Sequence, residues 1–560
     1  MNYYEKYKLW RQQDNLPEDL SREINYMYGD EDLIKEAFLE DLAFGTSGLR
    51  GIMGAGTNRM NLPIIEKVTQ GLANYLNGHK NRKPVLISFD TRNNSEKFAR
   101  ATAQVLAANQ IKTYIFEEPT PVSILSYGVR KLKCAVAIMI TASHNGREYN
   151  GYKVYNDFGG QIVTGQAKEI LAEINKVEIF NGPKKADPET AQANIELVAK
   201  NVVADFIKEN IDSSYGNVGV NKLKVVYTPL NGTGLKPVLE NLRQIGVMNV
   251  KVVPEQEGPD GNFPYCPKPN PEKPEVYSLG QKLMEASGAD FMIATDPDCD
   301  RIGMALQDRV LKGNQVGVLL FEYICSQIAK ATKLGSKAKV GVRSIVSTPL
   351  FDQIAKTYGV KVEQTLIGFK YIGEKMETLK DRFIFGFEEG NGYLGFRHMR
   401  DKDGVSTAML ICQMAGYHKS QGRSIDQALE EIYQKYGYYN ERVLNFTFEG
   451  IDGKERREKI MESFRHNIPE TIFNTDVLNI LDYREQKSYS KEGNSNEGVL
   501  PVSNILEYNL GEGRKIIVRP SGTEPLLKVY LFAKGDNMAK ATKQIDALEE
   551  SITRIINQVQ

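Results

Sequence analysis

Apolar residues in this chain fall into short continuous runs set between amphipathic stretches, the spacing of strands alternating with helices. From Pro84 the pattern predicts a strand at 85–89, a helix over about 95–109 (Phe98, Ala99, Ala101, Val105, Leu106) and a strand at 112–116. Pro119-Thr120-Pro121 opens another helix, and the run 135–140 is a buried strand stopping at Thr141-Ala142-Ser143-His144-Asn145. A short strand at 150–155 brings Lys153 to the same region, and a helical stretch over about 190–211 closes the unit. The pattern restarts at Leu223, with strands at 223–227, 249–253 and 291–295, a helix to about 243 and a proline- and glycine-rich irregular loop at 254–274. It restarts again at Lys339, with strands from 340, at 360–364 and at 383–387, and a helix capped by Ser347-Thr348-Pro349.

Each restart ends an apolar strand on a polar loop: Ser143 in the first, Asp296 to Asp300 in the second, Glu388 to Asn391 in the third. The organisation is α/β, three similar mixed units with mainly parallel sheets, whose strand ends can meet in one cleft. Residues 1–40 read as two amphipathic helices split near Pro17 and packing on the first unit (Leu9, Trp10, Leu33, Ile34, Phe38, Leu39). The pattern breaks around 425–445, and 484–498 is a polar, exposed loop. A compact C-terminal α+β unit follows, with strands at 505–510, 515–519 and 528–533 and a helix over about 537–557. The domain boundaries expected are 1–40, 41–211, 212–325, 326–440 and 441–560.

Composition narrows the class. The 560 residues balance 71 basic against 71 acidic side chains, which gives no reason to expect nucleic acid or a membrane as a partner. The five cysteines are scattered, against a disulfide framework or a cysteine-rich zinc site. The charged, aromatic start is unlike a signal peptide and no apolar run approaches membrane length, so a cytoplasmic protein is expected.

The loops then suggest chemistry. Asp296, Asp298 and Asp300 alternate, so an extended backbone would gather three carboxylates on one side, with Pro297 and Cys299 turned away. Their repulsion calls for a cation, and hard oxygen ligands suit Mg²⁺. An EF-hand is excluded, because Arg301 and Gln307 stand where it needs glycine and glutamate. Phe44 to Gly51 holds three glycines, Thr46, Ser47 and Arg50, and Arg519-Pro520-Ser521-Gly522-Thr523-Glu524-Pro525 combines a guanidinium, hydroxyls and glycine. Both loops suit an anion. A divalent metal, a serine and cationic loops point to phosphoryl transfer, and no Walker A motif is present.

In this order, Thr141 to Asn145, Asp296 to Arg301, Gly386-Phe387-Glu388-Glu389 and Arg519 to Pro525 resemble the four signature loops of the α-D-phosphohexomutase family (phosphoglucomutase/phosphomannomutase). Phe44 to Gly51 resembles its N-terminal loop, and the likeness covers essentially 41–535. Asp401-Lys402-Asp403-Gly404-Val405-Ser406 resembles the branch with phosphoglucomutase-2-type and phosphopentomutase-type enzymes. The resemblance implies a four-domain, heart-shaped architecture around a central cleft. It implies Ser143 as a phosphoserine, Asp296, Asp298 and Asp300 binding Mg²⁺ with Ser143, and Glu388 on sugar hydroxyls. It implies Arg519, Ser521, Gly522 and Thr523 on the non-reacting phosphate, and glucose 1,6-bisphosphate as intermediate and activator.

Lys153 is the candidate proton acceptor, as a lysine set among cations, and His144, directly after the serine, is a catalytic candidate that would orient it or contact substrate. Arg50 and Arg301 are electrostatic clamps; Ser47, Gly368, Lys370 and Asn391 complete the candidate substrate contacts, and His398 is either sugar-facing or structural. The expected activity is interconversion of glucose 1-phosphate and glucose 6-phosphate. Mannose or pentose phosphates, a sugar-bisphosphate synthase or phosphatase, and a non-catalytic sugar-phosphate-binding protein are the alternatives. The sugar loop reads Glu388-Glu389-Gly390-Asn391, without the hydroxyl the family commonly carries. A monomer or weak homodimer is expected.

Overall fold

The computed structural model describes residues 1–45, 48–331, 338–466, 471–472, 475–490, 493–495, 500–521 and 525–559. The chain forms two compact units, Met1–Val316 with Phe369–Gly422, and Gly317–Gly368 with Arg423–Gln560. Among the described residues, no helix is long and apolar enough to cross a membrane.

In the first unit a six-stranded sheet runs in the order Leu49–Ile52, Tyr149–Asn156, Val136–Ile140, Val85–Phe89, Thr113–Ile115, Ile195–Leu197. The first two pairings are antiparallel and the other three parallel. Val136–Ile140 and Val85–Phe89 are buried along their whole length, which is why they read as unbroken apolar runs. A four-stranded sheet follows, ordered Ile302–Ala305, Phe291–Thr295, Lys224–Thr228, Asn249–Val252, antiparallel at the first pairing and parallel at the others. The hairpin Phe383–Glu388 with Gly392–Leu394 also lies in this unit.

The second unit contains the parallel pair Val340–Ser344 and Lys361–Thr365, and a seven-stranded antiparallel sheet. The helix Met538–Gln558 lays Ala541, Ile545, Leu548, Ile552 and Ile556 into that sheet's core. The three α/β restarts and the antiparallel C-terminal unit are thus all present, as the strand–helix alternation predicts.

Several local expectations are corrected. The N-terminal extension is three helices, Tyr3–Arg11, Glu18–Tyr26 and Glu31–Phe38. Gly29 at φ 87 breaks the second, and Asp30 caps the third by accepting from the N–H groups of Asp32 and Leu33. Trp10 and Phe38 enter the first unit's core as expected, with Trp10 edge-on to Phe180 at 5.3 Å, while Leu9 is half-buried and Leu39 faces out. The stretch 190–211 is two helices, Pro188–Asn194 and Asn201–Asp212, interrupted by the edge strand Ile195–Leu197.

The supposed break at 425–445 is the helix Ile425–Tyr436, opened by a Ser424/Gln427 capping box, and the strand Tyr438–Thr447. Part of the polar stretch 484–498 forms the paired strands Lys487–Ser490 and Gly493–Ser495. Strands pair through their backbones, so a polar composition does not reveal them. Helices Leu62–Gly78, Thr164–Ile174, Gly313–Lys330, Gly404–Ser420 and Gly450–His466 went unpredicted. Gly404–Ser420 is buried nearly all round and carries no amphipathic stripe.

Candidate active site

The buried strand Val136–Ile140 delivers Ser143 into a turn where it adopts φ 54, the left-handed region that a non-glycine residue enters at a cost. The turn is held from below. Ser143 N–H donates to Thr141 Oγ1 at 2.8 Å, and Thr141 Oγ1 donates to Asp90 Oδ2 at 2.6 Å. Arg92, buried, donates through Nη2 to the carbonyls of Ser143 and Asn145, both at 2.5 Å, and through Nη1 to Gly146 O at 2.7 Å. Its Nε lies 3.2 Å from Asp90 Oδ2. A strand-end aspartate and arginine therefore fix the serine's backbone against its own preference.

Ser143 Oγ donates to Asp296 Oδ2 at 2.9 Å and lies 3.3 Å from His144 Nδ1. Asp296, Asp298 and Asp300 are all buried, with ligand oxygens within 4.8 Å of one another. The backbone that gathers them is a turn, not the extended segment expected: Cys299 sits at φ 53 and its N–H donates to Asp296 O at 2.8 Å. Asp296 Oδ1 accepts from the N–H groups of Asp300 (3.0 Å) and Arg301 (2.9 Å), so the first carboxylate closes the loop that carries the other two.

Two ammonium groups offset the crowding. Lys153 Nζ donates to Asp298 Oδ2 at 2.8 Å and lies 3.7 Å from Asp300 Oδ2. Lys402 Nζ is 2.9 Å from Asp300 Oδ2. Lys153 is thus paired with carboxylates, where the expectation set it among cations. Burial pushes the Asp296 carboxyl well above the usual range, with Asp298 and Asp300 adding to the shift. Burial works the same way on Asp300, but Lys402, Lys153 and Arg301 outweigh it and hold its carboxyl below the usual range. Asp298 Oδ1 and Asp300 Oδ1 are buried without a hydrogen-bond partner among the described residues. Unpartnered hard oxygens beside a third carboxylate fit a divalent cation of the Mg²⁺ type.

Cations and hydrogen-bonding groups ring this centre. Arg50 Nη1 donates to Asn145 Oδ1 at 3.0 Å. A Cβ at Gly48 would lie 2.1 Å from Tyr152 O, so the N-terminal loop's approach to the strand carrying Lys153 needs glycine there. Burial, then Arg301 and Arg50, hold the His144 imidazole well below its ordinary range, which leaves it neutral at pH 7. Arg301 pairs with Glu272, and Nε lies 3.9 Å from Asp300 Oδ1. Glu388 ends the strand Phe383–Glu388, and its charge acts on Arg301, Lys402 and Lys370. Asn391 is buried at φ 60 and accepts through its carbonyl from Ile302 N–H at 3.0 Å, tying the Glu388–Asn391 loop to the strand after the aspartates. His398 Nε2 sits 2.8 Å from Asn210 Oδ1, and burial pushes its imidazole down to about 3, which is a structural role.

The first unit therefore gathers Ser143, His144, Lys153, Arg50, the three aspartates, Arg301, Lys370 and Glu388. Three candidates belong to the second unit. Gly368 sits at φ 121; Arg519 is half-buried on the strand Arg514–Pro520; Ser521 N–H donates to Leu526 O at 2.8 Å. Ser47, Gly522 and Thr523 lie outside the described residues. Sequence reasoning missed the roles of Asp90, Arg92, Glu272 and Lys402. Asp90-Thr91-Arg92 ends an apolar strand just as the other loops do, and that rule would have found it.

Four family models match in order: phosphoglucomutase/phosphomannomutase α/β/α domain I at 41–179, domain II at 201–309, domain III at 312–436 and the C-terminal domain at 481–549. The chain is 35% identical over 525 residues to a phosphoglucomutase of Staphylococcus aureus (strain MRSA252), covering 92% of this chain and 93% of that one. It is 34% identical over 525 residues to a phosphoglucomutase of Staphylococcus haemolyticus, covering 91% and 94%. Its fold is similar to the crystal structure of Paramecium parafusin, a phosphoglucomutase in its open form, with a TM-score of 0.69 at 17% identity over 92% of this chain and 96% of that one. It is also similar to a phosphoglucomutase/phosphomannomutase family protein of Burkholderia thailandensis, with a TM-score of 0.65 at 14% identity over 92% and 97%. Four domain models in sequence order, carried by a chain whose serine turn and aspartate loop meet at hydrogen-bond distance, leave one assignment: this protein belongs to the phosphoglucomutase/phosphomannomutase family.

Proposed function

We propose that the chain interconverts glucose 1-phosphate and glucose 6-phosphate, with Ser143 as the phosphoryl carrier. As a member of this family it is a phosphotransferase-type isomerase. The observation that carries the reading is Ser143 Oγ at 2.9 Å from Asp296 in a carboxylate triad, two of whose oxygens have no hydrogen-bond partner among the described residues. Asp296, Asp298 and Asp300, with the Ser143 oxygen, would hold Mg²⁺, which would neutralise charge on the transferring phosphoryl group.

The remaining work falls to the chain's own groups. Arg92 and Thr141 hold the Ser143 backbone so that Oγ faces the triad. Lys153 and Lys402 place positive charge around the carboxylates. In the reading we favour, the Ser143 phosphoryl passes to the free hydroxyl oxygen of a bound sugar phosphate, whose proton leaves to a nearby base. The 1,6-bisphosphate so formed reorients and returns its other phosphoryl to Ser143. Lys153 and His144 are the candidate proton carriers. Arg50, Ser47, Arg301, Gly368, Lys370, Glu388, Asn391 and the loop at Arg519, Ser521, Gly522 and Thr523 are the candidate contacts to sugar and distal phosphate.

A coupled assay with Mg²⁺ and glucose 1,6-bisphosphate, run across glucose, mannose, glucosamine, ribose and deoxyribose 1-phosphates, ranks the substrates. Net phosphate release or bisphosphate accumulation would instead mark a phosphatase or synthase. Ser143→Ala should abolish turnover while leaving the melting transition in place; turnover at the parental rate in that variant sinks the assignment.

A further inference from the structure

The proline- and glycine-rich loop 254–274 packs against the Asp90–Asn93 loop that holds the serine turn, and against the aspartate and Glu388–Asn391 ends of the first unit. On the serine side, the fully buried Phe263 places its ring 5.0 Å from the Arg92 guanidinium carbon and is itself held at φ 46. Asn93 Nδ2 donates to Asn262 Oδ1 at 3.0 Å, and a Cβ at Gly261 would lie 2.3 Å from Asn93 N, so this approach requires glycine. On the aspartate side, Glu272 accepts from Arg301 Nη1, and a Cβ at Gly303 would lie 2.9 Å from Pro271 O. On the sugar-loop side, a Cβ at Gly390 would lie 3.0 Å from Glu272 Oε1 and 3.4 Å from Arg301 Nη1. The near end of the loop is pinned: Asn231 donates from N to Gln256 O at 2.8 Å and from Nδ2 to Gly258 O at 2.7 Å.

A passive connector needs only to span its ends. This one spends an aromatic ring in a left-handed conformation and a carboxylate on two guanidinium groups, and both guanidinium groups adjoin reacting-centre residues. We propose that loop 254–274 is a positioning strap of the phosphoryl-transfer site. Phe263 acts through Arg92 on the Ser143 turn, and Glu272 acts through Arg301 on the anionic group of the substrate. The proposal rests on the mutase reading above.

Phe263 covers the face of the Arg92 guanidinium, which keeps water from competing for its bonds to the Ser143 and Asn145 carbonyls. Glu272 comes from outside the three loops and fixes which way the Arg301 fork points. The two handles are therefore separable: one governs the placement of the phosphoryl carrier, the other the capture of substrate.

The test is steady-state kinetics of full-length Glu272→Gln, Glu272→Asp and Phe263→Leu, each with a thermal melt. Glu272→Gln should raise KM for the sugar 1-phosphate about tenfold with kcat within about twofold, and Glu272→Asp should recover part of the loss. Phe263→Leu should lower kcat about tenfold with KM within about twofold, since it disturbs the group that reacts and not the one that binds. Both parameters staying within about twofold in both variants overturns the strap. So does a fall in kcat alone that tracks the loss of folded protein in every variant. Ser143→Ala is run beside them: its turnover at the parental rate condemns the mutase reading itself, whichever way the strap variants behave.

Discussion

Two buried polar clusters in this chain share a vocabulary and differ in bookkeeping. In the second unit, Arg343 donates bidentately to Asp352 (2.8 and 2.6 Å) and also to the carbonyls of Ser344 and Ser347. Beside it Lys515 Nζ donates to Ile345 O at 2.9 Å and lies 3.4 Å from Glu507, which accepts from Tyr483 at 2.9 Å. None of these side chains is left with a buried unpaired atom among the described residues. In the first unit, the aspartate triad leaves Asp298 Oδ1 and Asp300 Oδ1 without hydrogen-bond partners among the described residues and packs three carboxylates together. A satisfied cluster has finished its work when the chain folds. An unsatisfied one, crowded with like charge, is poised for a cation and a substrate.

That contrast can be broken by experiment. The largest expected effect is at the triad. Asp296→Asn keeps the acceptor that closes the loop but removes one of three mutually repelling charges. Activity should fall about 10³-fold, while the metal-free melting temperature rises by roughly 1–2 °C. A lower melting temperature would mean that the triad is structural. Arg343→Met should do the opposite: it removes the partner of the part-exposed Asp352 and of two buried carbonyls, costs about 1–3 kcal/mol of stability in a denaturant titration, and leaves turnover per folded molecule unchanged. A selective loss of kcat there would erase the distinction between the clusters.

Adding Mg²⁺ should stabilise the parent by about 2.7 kcal/mol at a hundred times its Kd and should stabilise Asp296→Asn far less; chelation should stop turnover in the parent. Equal stabilisation of both proteins, or full activity in chelator, would remove the metal from the triad. The last effect, absent at neutral pH and appearing only in acid, is at His398, which belongs to neither cluster. Burial depresses its imidazole from 6.5 to about 3 in the folded chain. The unfolded chain therefore binds the extra proton between those pH values, and stability falls as pH drops through that window, by at most ~1.4 kcal/mol per pH unit. His398→Gln should flatten that part of the profile; an unchanged slope assigns the acid sensitivity to other groups.

Legibility followed burial and periodicity. The strands Val85–Phe89 and Phe291–Thr295 appear at the residues expected, because strands buried on both faces announce themselves as apolar runs. The helix Gly404–Ser420 was invisible for the converse reason: buried nearly all round, it has no polar face to set a period. The polar strands at 487–490 and 493–495 hide because backbone pairing leaves no mark on composition. Within the site, Ser143 and the three aspartates were legible because they cluster locally in sequence. Arg92, Glu272 and Lys402 were not, because what they touch lies far along the chain: Arg92 reaches Ser143, Glu272 reaches Arg301, and Lys402 reaches Asp300.

By itself, the sequence determined which strands end in chemistry. Apolar runs must be buried, and a polar loop at the end of such a run has nowhere to go but the rim of a sheet. It also determined the elements of that chemistry: a serine, three carboxylates and a set of cations, each within a few residues of a strand end. Only the tertiary structure decided the pairing. It set Ser143 Oγ against Asp296, gave Asp298 to Lys153 and Asp300 to Lys402, and left one oxygen on each of Asp298 and Asp300 without a hydrogen bond among the described residues. It also turned the aspartate loop through Cys299 at φ 53 where alternation implied an extended segment. The reason is range: periodicity and turn chemistry act over a few residues, whereas hydrogen bonds and charge act between whichever groups packing brings within a few ångströms, however far apart they stand in the chain.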